Sequence, residues 1–117
     1  MVDKTGHSFG AYFKRAVSPL MVLALLRDKP MYGYEISQLM VERSGGKLKI
    51  SVLYPVLYRL TEQGYVHMSE ITIENGRARS YYAITPEGIA YLDQTVAEFT
   101  ELAEAFFAVL GEGSKHE

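Results

Sequence analysis

The chain contains no cysteine, no tryptophan and only three histidines in 117 residues. Without cysteine there can be no disulfide framework and no thiolate metal cluster, which fits a reducing compartment. His7, His67 and His116 fall in a tail, a strand-like stretch and the other tail, with no HExxH spacing, so no histidine metal site is drawn either. The glycine-rich piece Ser44-Gly45-Gly46 lacks the Lys-Ser/Thr of a phosphate loop, and no serine-nucleophile motif occurs. The expectation is a non-enzyme without cofactor. The opening MVDKTGHSFGAYFKR is too polar for a secretory segment, and no apolar run approaches the roughly 18 residues of a membrane span. A cytoplasmic protein with no membrane partner is therefore expected. Long linkers, internal repeats and low-complexity stretches are also missing.

The length is one domain's worth, enough to bury roughly two thirds of the unfolded surface around a single core. Net charge is only −2, but it divides unevenly. Residues 1–80 carry 11 Lys and Arg against 7 Asp and Glu, a balance of +4, whereas residues 81–117 carry 1 against 7, a balance of −6. Such a division suits a molecule that turns one face to phosphate. Two ordinary solvated faces would give the same count.

Phe9, Tyr12, Phe13 and Ala16 share one face of a short N-terminal helix. Ser18-Pro19 reads as an N-cap and first-turn proline, opening a second, nearly all-apolar helix through Leu20, Leu23, Ala24 and Leu26. Asp28-Lys29-Pro30 ends it. Tyr32-Gly33 starts another helix with Ile36, Leu39 and Met40 inward, and Ser44-Gly45-Gly46 stops that one. The short connection that follows is how a helix-turn-helix sets its second helix at a steep angle, free to enter a groove.

That next helix buries Leu53, Val56, Leu57 and Leu60, at i, i+3, i+4 and i+7. Ser51, Tyr54, Pro55, Tyr58 and Glu62 are left on the other face, with Arg59 at the border. Pro55 is tolerated because first-turn amides lack intrahelical partners. The functional reading is that this N-terminal turn faces DNA, with the Ser51 and Tyr54 hydroxyls and free backbone N–H groups on phosphate and Lys49, Tyr58 and Arg59 alongside. Packing of the two tyrosines against the first helix or the hairpin is the alternative. After Gly64 the pattern alternates, and Asn75-Gly76 between β-rich runs is a type I′ hairpin signal. A two-residue turn sets Glu74 opposite Arg77 and Thr72 opposite Arg79, so both arginines share a face with Glu70 and Tyr81, for phosphate or minor-groove contact or for cross-strand pairing with Glu70 and Glu74. Ile71, Ile73, Ala78, Tyr82 and Ile84 take the other face and are expected to lie on the helices.

Thr85-Pro86-Glu87 opens the last helix with an N-cap, a first-turn proline and an acid at the positive end. Ile89, Leu92, Val96, Phe99, Ala103, Phe106 and Leu110 then recur at spacings of 3 and 4, the seam of a coiled coil, with Leu102, Phe107 and Val109 adding more apolar surface than one small domain covers. Self-association follows from that surplus; a helix folded back on its own domain is the alternative.

Taken together, Gly33-Tyr34-Glu35-Ile36, Leu53 to Leu60, Gly64, Arg77 with Arg79, Tyr81-Tyr82 and Thr85 to Gly88 resemble the PadR-like transcriptional regulators over roughly residues 18 to 92. One departure is that the family has Gly-Thr where this chain has Ser51-Val52, moving a hydroxyl by one position. The resemblance implies a mainly α fold with a β-hairpin wing: a winged helix-turn-helix domain over residues 1–85 with an added C-terminal dimerisation helix over 86–117. It adds weight to double-stranded DNA as partner, through Lys49, Ser51, Tyr54, Pro55, Tyr58, Arg59, Arg77 and Arg79. It also implies a homodimer held by Phe9, Tyr12, Phe13, Leu92, Val96, Phe99, Ala103, Phe106 and Leu110, and a small hydrophobic or aromatic effector against Phe13, Phe99 and Phe106; a filled dimer core is the alternative to that cavity. The expected function is a repressor on a palindromic operator. A winged helix used only as a protein-interaction module is the alternative, and it has no need of two arginines at the tip.

Overall fold

The structure, a computed structural model, describes residues 8–111, the Glu70 side chain aside; His7 and His116 lie outside it. In chain order the elements are α1 (Phe9–Leu26), β1 (Met31–Tyr32), α2 (Gly33–Arg43), α3 (Leu53–Glu62), β2 (Val66–Glu74), β3 (Arg77–Ile84) and α4 (Pro86–Leu110). The strands form one antiparallel sheet in the order β1-β3-β2. This is a winged helix-turn-helix with a long C-terminal helix.

α1 begins at Ser8, whose hydroxyl accepts from the Ala11 N–H at 3.2 Å. The sequence reading of two helices meeting at Ser18-Pro19 is corrected here, because α1 runs unbroken through both residues. Pro19 gives up the bond its N–H would have made to the Arg15 carbonyl, and beside it the buried Ser18 hydroxyl donates to the Lys14 carbonyl one residue earlier. A proline at a helix start and one inside a helix look alike locally; packing around Val17 and Ser18 decides between them. The fused helix reaches 18 residues at a mean hydropathy of 1.3, long and apolar enough by those measures to cross a membrane. Its Val22, Leu23, Leu25 and Leu26 are nonetheless central in the protein's own core, and Lys14 and Arg15 interrupt its other half.

Around that stretch gather Met31, Ile36 and Met40, the α3 stripe Leu53, Val56, Leu57 and Leu60, Val66 from the base of β2, and Leu92 from α4. Leu92 is only 2 % exposed, which removes it from the expected dimer seam: it has no surface left for a partner. β1 was invisible to alternation because it is two residues long; it pairs Met31 with Tyr82 and Tyr32 with Tyr81.

The hairpin turn is as expected, with Asn75 at φ 52° and Gly76 at φ 76°, the pair of left-handed residues a type I′ turn needs. Glu74 faces Arg77 and Thr72 faces Arg79. An irregularity between Met68 and Glu70 shifts the register nearer the base. Ile71 and Ile73, expected on the helices, are 62 % and 77 % exposed. The strands run about 30 Å, and only their lower ends, at Val66, Tyr82 and Ile84, reach the core.

α4 is hooked to the base of the wing. The Thr85 N–H donates to the Tyr65 carbonyl at 3.0 Å, its hydroxyl donates to the Gly64 carbonyl at 2.7 Å, and the same oxygen accepts from the Gly88 N–H at 3.0 Å. A Cβ on Gly88 would stand 2.2 Å from the Tyr65 carbonyl oxygen, so glycine is the residue that fits. Tyr65 and Tyr91 stack at 4.4 Å, and Arg27 pairs with Asp93 to hold α4 beside α1. Beyond that the helix projects. The radius of gyration is 16.4 Å, against about 13 Å for a compact domain of this size.

Candidate nucleic-acid interface

The exposed edge of α3 lies beside the wing. Its buried stripe falls where the periodicity places it, so Tyr54 and Tyr58 stand largely in solvent, with Ser51, Pro55 and Arg59 also exposed and Lys49 in the preceding connection. Neither tyrosine is buried against α1 or the wing within the protomer. Tyr54 still has a seat: a Cβ on Gly33 would come 2.3 Å from its hydroxyl oxygen, so the tyrosine tip rests directly on the Gly33 backbone at the start of α2. Gly33 and Tyr32 were not singled out as site residues by sequence reasoning. The signal for Gly33 is the GYEI string, whose Glu35 carboxylate accepts from the N–H of the preceding Tyr32 at 3.2 Å and fixes the helix start.

Between α3 and the wing runs a cleft of about 500 Å³, lined among others by Tyr32, Tyr54, Arg77, Arg79 and Tyr82. Burial first, and then the neighbouring Tyr54, push the Tyr82 phenol above its ordinary range.

The arginines expected to stand side by side are in different surroundings. Arg77 is exposed at the tip. Arg79 has its guanidinium carbon 4.4 Å from the Tyr32 ring centroid and its Nε 3.4 Å from a Glu74 carboxylate oxygen, and its side chain is only 23 % exposed. Tyr32 in turn meets Tyr81 edge-on at 5.5 Å. The cross-strand alternative is thus realised at Arg79 through Glu74, whereas Arg77 takes part in no ion pair among the described residues. The Glu70 side chain lies outside the described residues.

The residues assigned to self-association fall into two groups. Leu92 is core, as above. Phe9, Tyr12, Val96, Phe99, Phe106 and Leu110 are substantially exposed, and Phe13 and Ala103 are half-buried. Of the three residues expected to line an effector cavity, Phe13 and Phe99 meet edge-on at 6.1 Å within one protomer, whereas Phe106 pairs with Phe107 at 5.5 Å.

Comparison with known proteins bears on this arrangement. Residues 22–94 match the family described as the transcriptional regulator PadR-like family. A transcriptional regulator of Mycobacterium tuberculosis is 36 % identical over 104 residues, covering 89 % of this chain and 92 % of that protein. Among solved structures, a transcriptional regulator from Clostridium thermocellum superposes with a TM-score of 0.74 at 32 % identity, over 83 % of this chain and 95 % of its own. A PadR family transcriptional regulator from Eggerthella lenta gives a TM-score of 0.76 at 28 % identity, over 85 % and 86 %.

Proposed function

The chain belongs to the PadR-like family of transcriptional regulators, and from that premise we propose that it binds duplex DNA as a homodimer and represses transcription from a palindromic operator in the cytoplasm. The observation that carries this reading is the pairing of Tyr54, on the exposed edge of α3, with an exposed Arg77 across one cleft. A helix presented this way enters a major groove, and a basic hairpin tip beside it reaches the adjoining backbone.

Dimerisation is supported by the exposed apolar surface of α4 and of the Phe9 and Tyr12 end of α1. In the same reading a small aromatic compound acts as effector by parting the Phe13–Phe99 contact between these terminal helices and changing the spacing of the two α3 helices. An interaction module that never touches DNA is the second reading, favoured by the exposed Ile71 and Ile73 on the wing. The test is enrichment of duplexes from a randomised pool. Recovery of an inverted repeat with half-sites about one helical turn apart is the expected result; no enrichment over the starting pool, from a folded protein, sinks the reading in favour of the interaction module.

A further inference from the structure

We propose that the groove between the N-terminal half of α1 and the start of α3 is a second phosphate site, which holds DNA backbone on the side of α3 away from the wing. The inference rests on the DNA-binding reading above. Lys14 and Arg15 from α1 face Lys49, Ser51 and Arg59 from the α2–α3 connection and α3 across a groove of about 560 Å³. Among the described residues four cations line it and no carboxylate does.

All four cations are exposed, and none takes part in an ion pair among the described residues, whereas Arg27, Arg43 and Arg79 each have an acidic partner. Arg15 has one further contact, with its guanidinium carbon 5.9 Å from the Tyr12 ring centroid, at the outer limit of a cation–π attraction. In a protein whose net charge is −2, cations gathered in one concavity make a locally positive potential that attracts an anion. The position identifies the anion. α3 has the Tyr54 cleft with Arg77 on one flank and this groove, with Pro55 and Arg59, on the other. A helix inserted in a major groove lies between two phosphate backbones, so the wing would serve one strand and the α1 groove the other.

The test compares Lys14→Ala with Arg15→Ala, as a double variant, against Arg77→Ala and wild type. Dissociation constants are measured over a series of salt concentrations on the enriched duplex and on a mixed-sequence duplex. Removing one cation from a phosphate flattens the slope of log K against log salt by about 0.9. The α1 double variant is expected to flatten it by about 1 to 2 on both duplexes, and the charge-keeping pair Lys14→Arg with Arg15→Lys to leave it near wild type. An unchanged slope in a folded, normally sedimenting double variant overturns the groove, provided Arg77→Ala still flattens it; if Arg77→Ala also has no effect, the DNA reading itself has failed. Calorimetric titration with inorganic tripolyphosphate separates the two sources of phosphate. Sub-millimolar binding that the double variant abolishes, with its duplex slope unchanged, would assign the groove to a free phosphate ligand and overturn the backbone proposal.

Discussion

Arg77 and Arg79 are separated by one residue on the same strand, yet the ring of Tyr32 beneath one of them makes their roles distinct. Arg77→Ala is predicted to weaken specific and random duplex alike and to flatten the salt slope by about 1. Arg79→Ala is predicted to change that slope less and to lower stability, by about 0.5–2 kcal/mol, by removing the cation from the Tyr32 ring and from Glu74. Equal slopes for the two variants would show that Arg79 leaves Tyr32 to reach phosphate. The same contrast holds on α3. Leu57 is almost fully buried, so Leu57→Ala should cost about 2–5 kcal/mol of folding, while Tyr54→Ala should leave the melt nearly unchanged and weaken operator binding. Thermal melts read beside gel shifts decide it, and the opposite pairing would mean that Tyr54 is structural.

Elements with strong local chemistry were legible from the sequence: the α3 stripe, the Asn75-Gly76 turn and its register, and the Thr85-Pro86 opening of α4. What was not legible depends on partners far along the chain. β1 exists only because Tyr81 and Tyr82 offer it an edge; α1 passes through Ser18-Pro19 because the surrounding core holds it. Leu92 falls on a perfect seam spacing, and periodicity cannot tell a seam that faces a second chain from one whose first turns face their own domain. In the candidate site the α3 residues were found, but the Tyr32 platform and the Gly33 seat were not, since each acts through a neighbour more than twenty residues away. The junction of wing and α4 yields a prediction of its own. Gly88→Ala drives a methyl into the Tyr65 carbonyl, a backbone atom that cannot swing aside, and should cost about 1–3 kcal/mol. An unshifted midpoint in chemical denaturation would mean that the junction yields easily.

As a whole the molecule is longer than its core requires, 55 Å by 35 Å by 24 Å, and the second half of α4 leaves Leu102, Phe106, Val109 and Leu110 exposed beyond the Phe13–Phe99 contact. An apolar arm of that kind calls for a second surface. Phe99→Asp is predicted to yield monomers or aggregates by sedimentation velocity and to abolish protection of a palindrome, since a carboxylate in an apolar interface has no partner. A stable dimer with normal operator binding would refute the role given to α4.

The placement of Leu92 also governs the order in which the protein can be made. As the chain leaves the ribosome, the whole helix-turn-helix and wing emerge before the residue that closes their core, and Arg27 waits for Asp93 across 66 positions. Contacts that distant along the chain carry a loop-closure cost and form late. A product terminated at the end of the wing would therefore lack the Leu92 side of its core, and it is expected to be cleaved by proteases more readily than the full chain rather than to persist as a competing fragment.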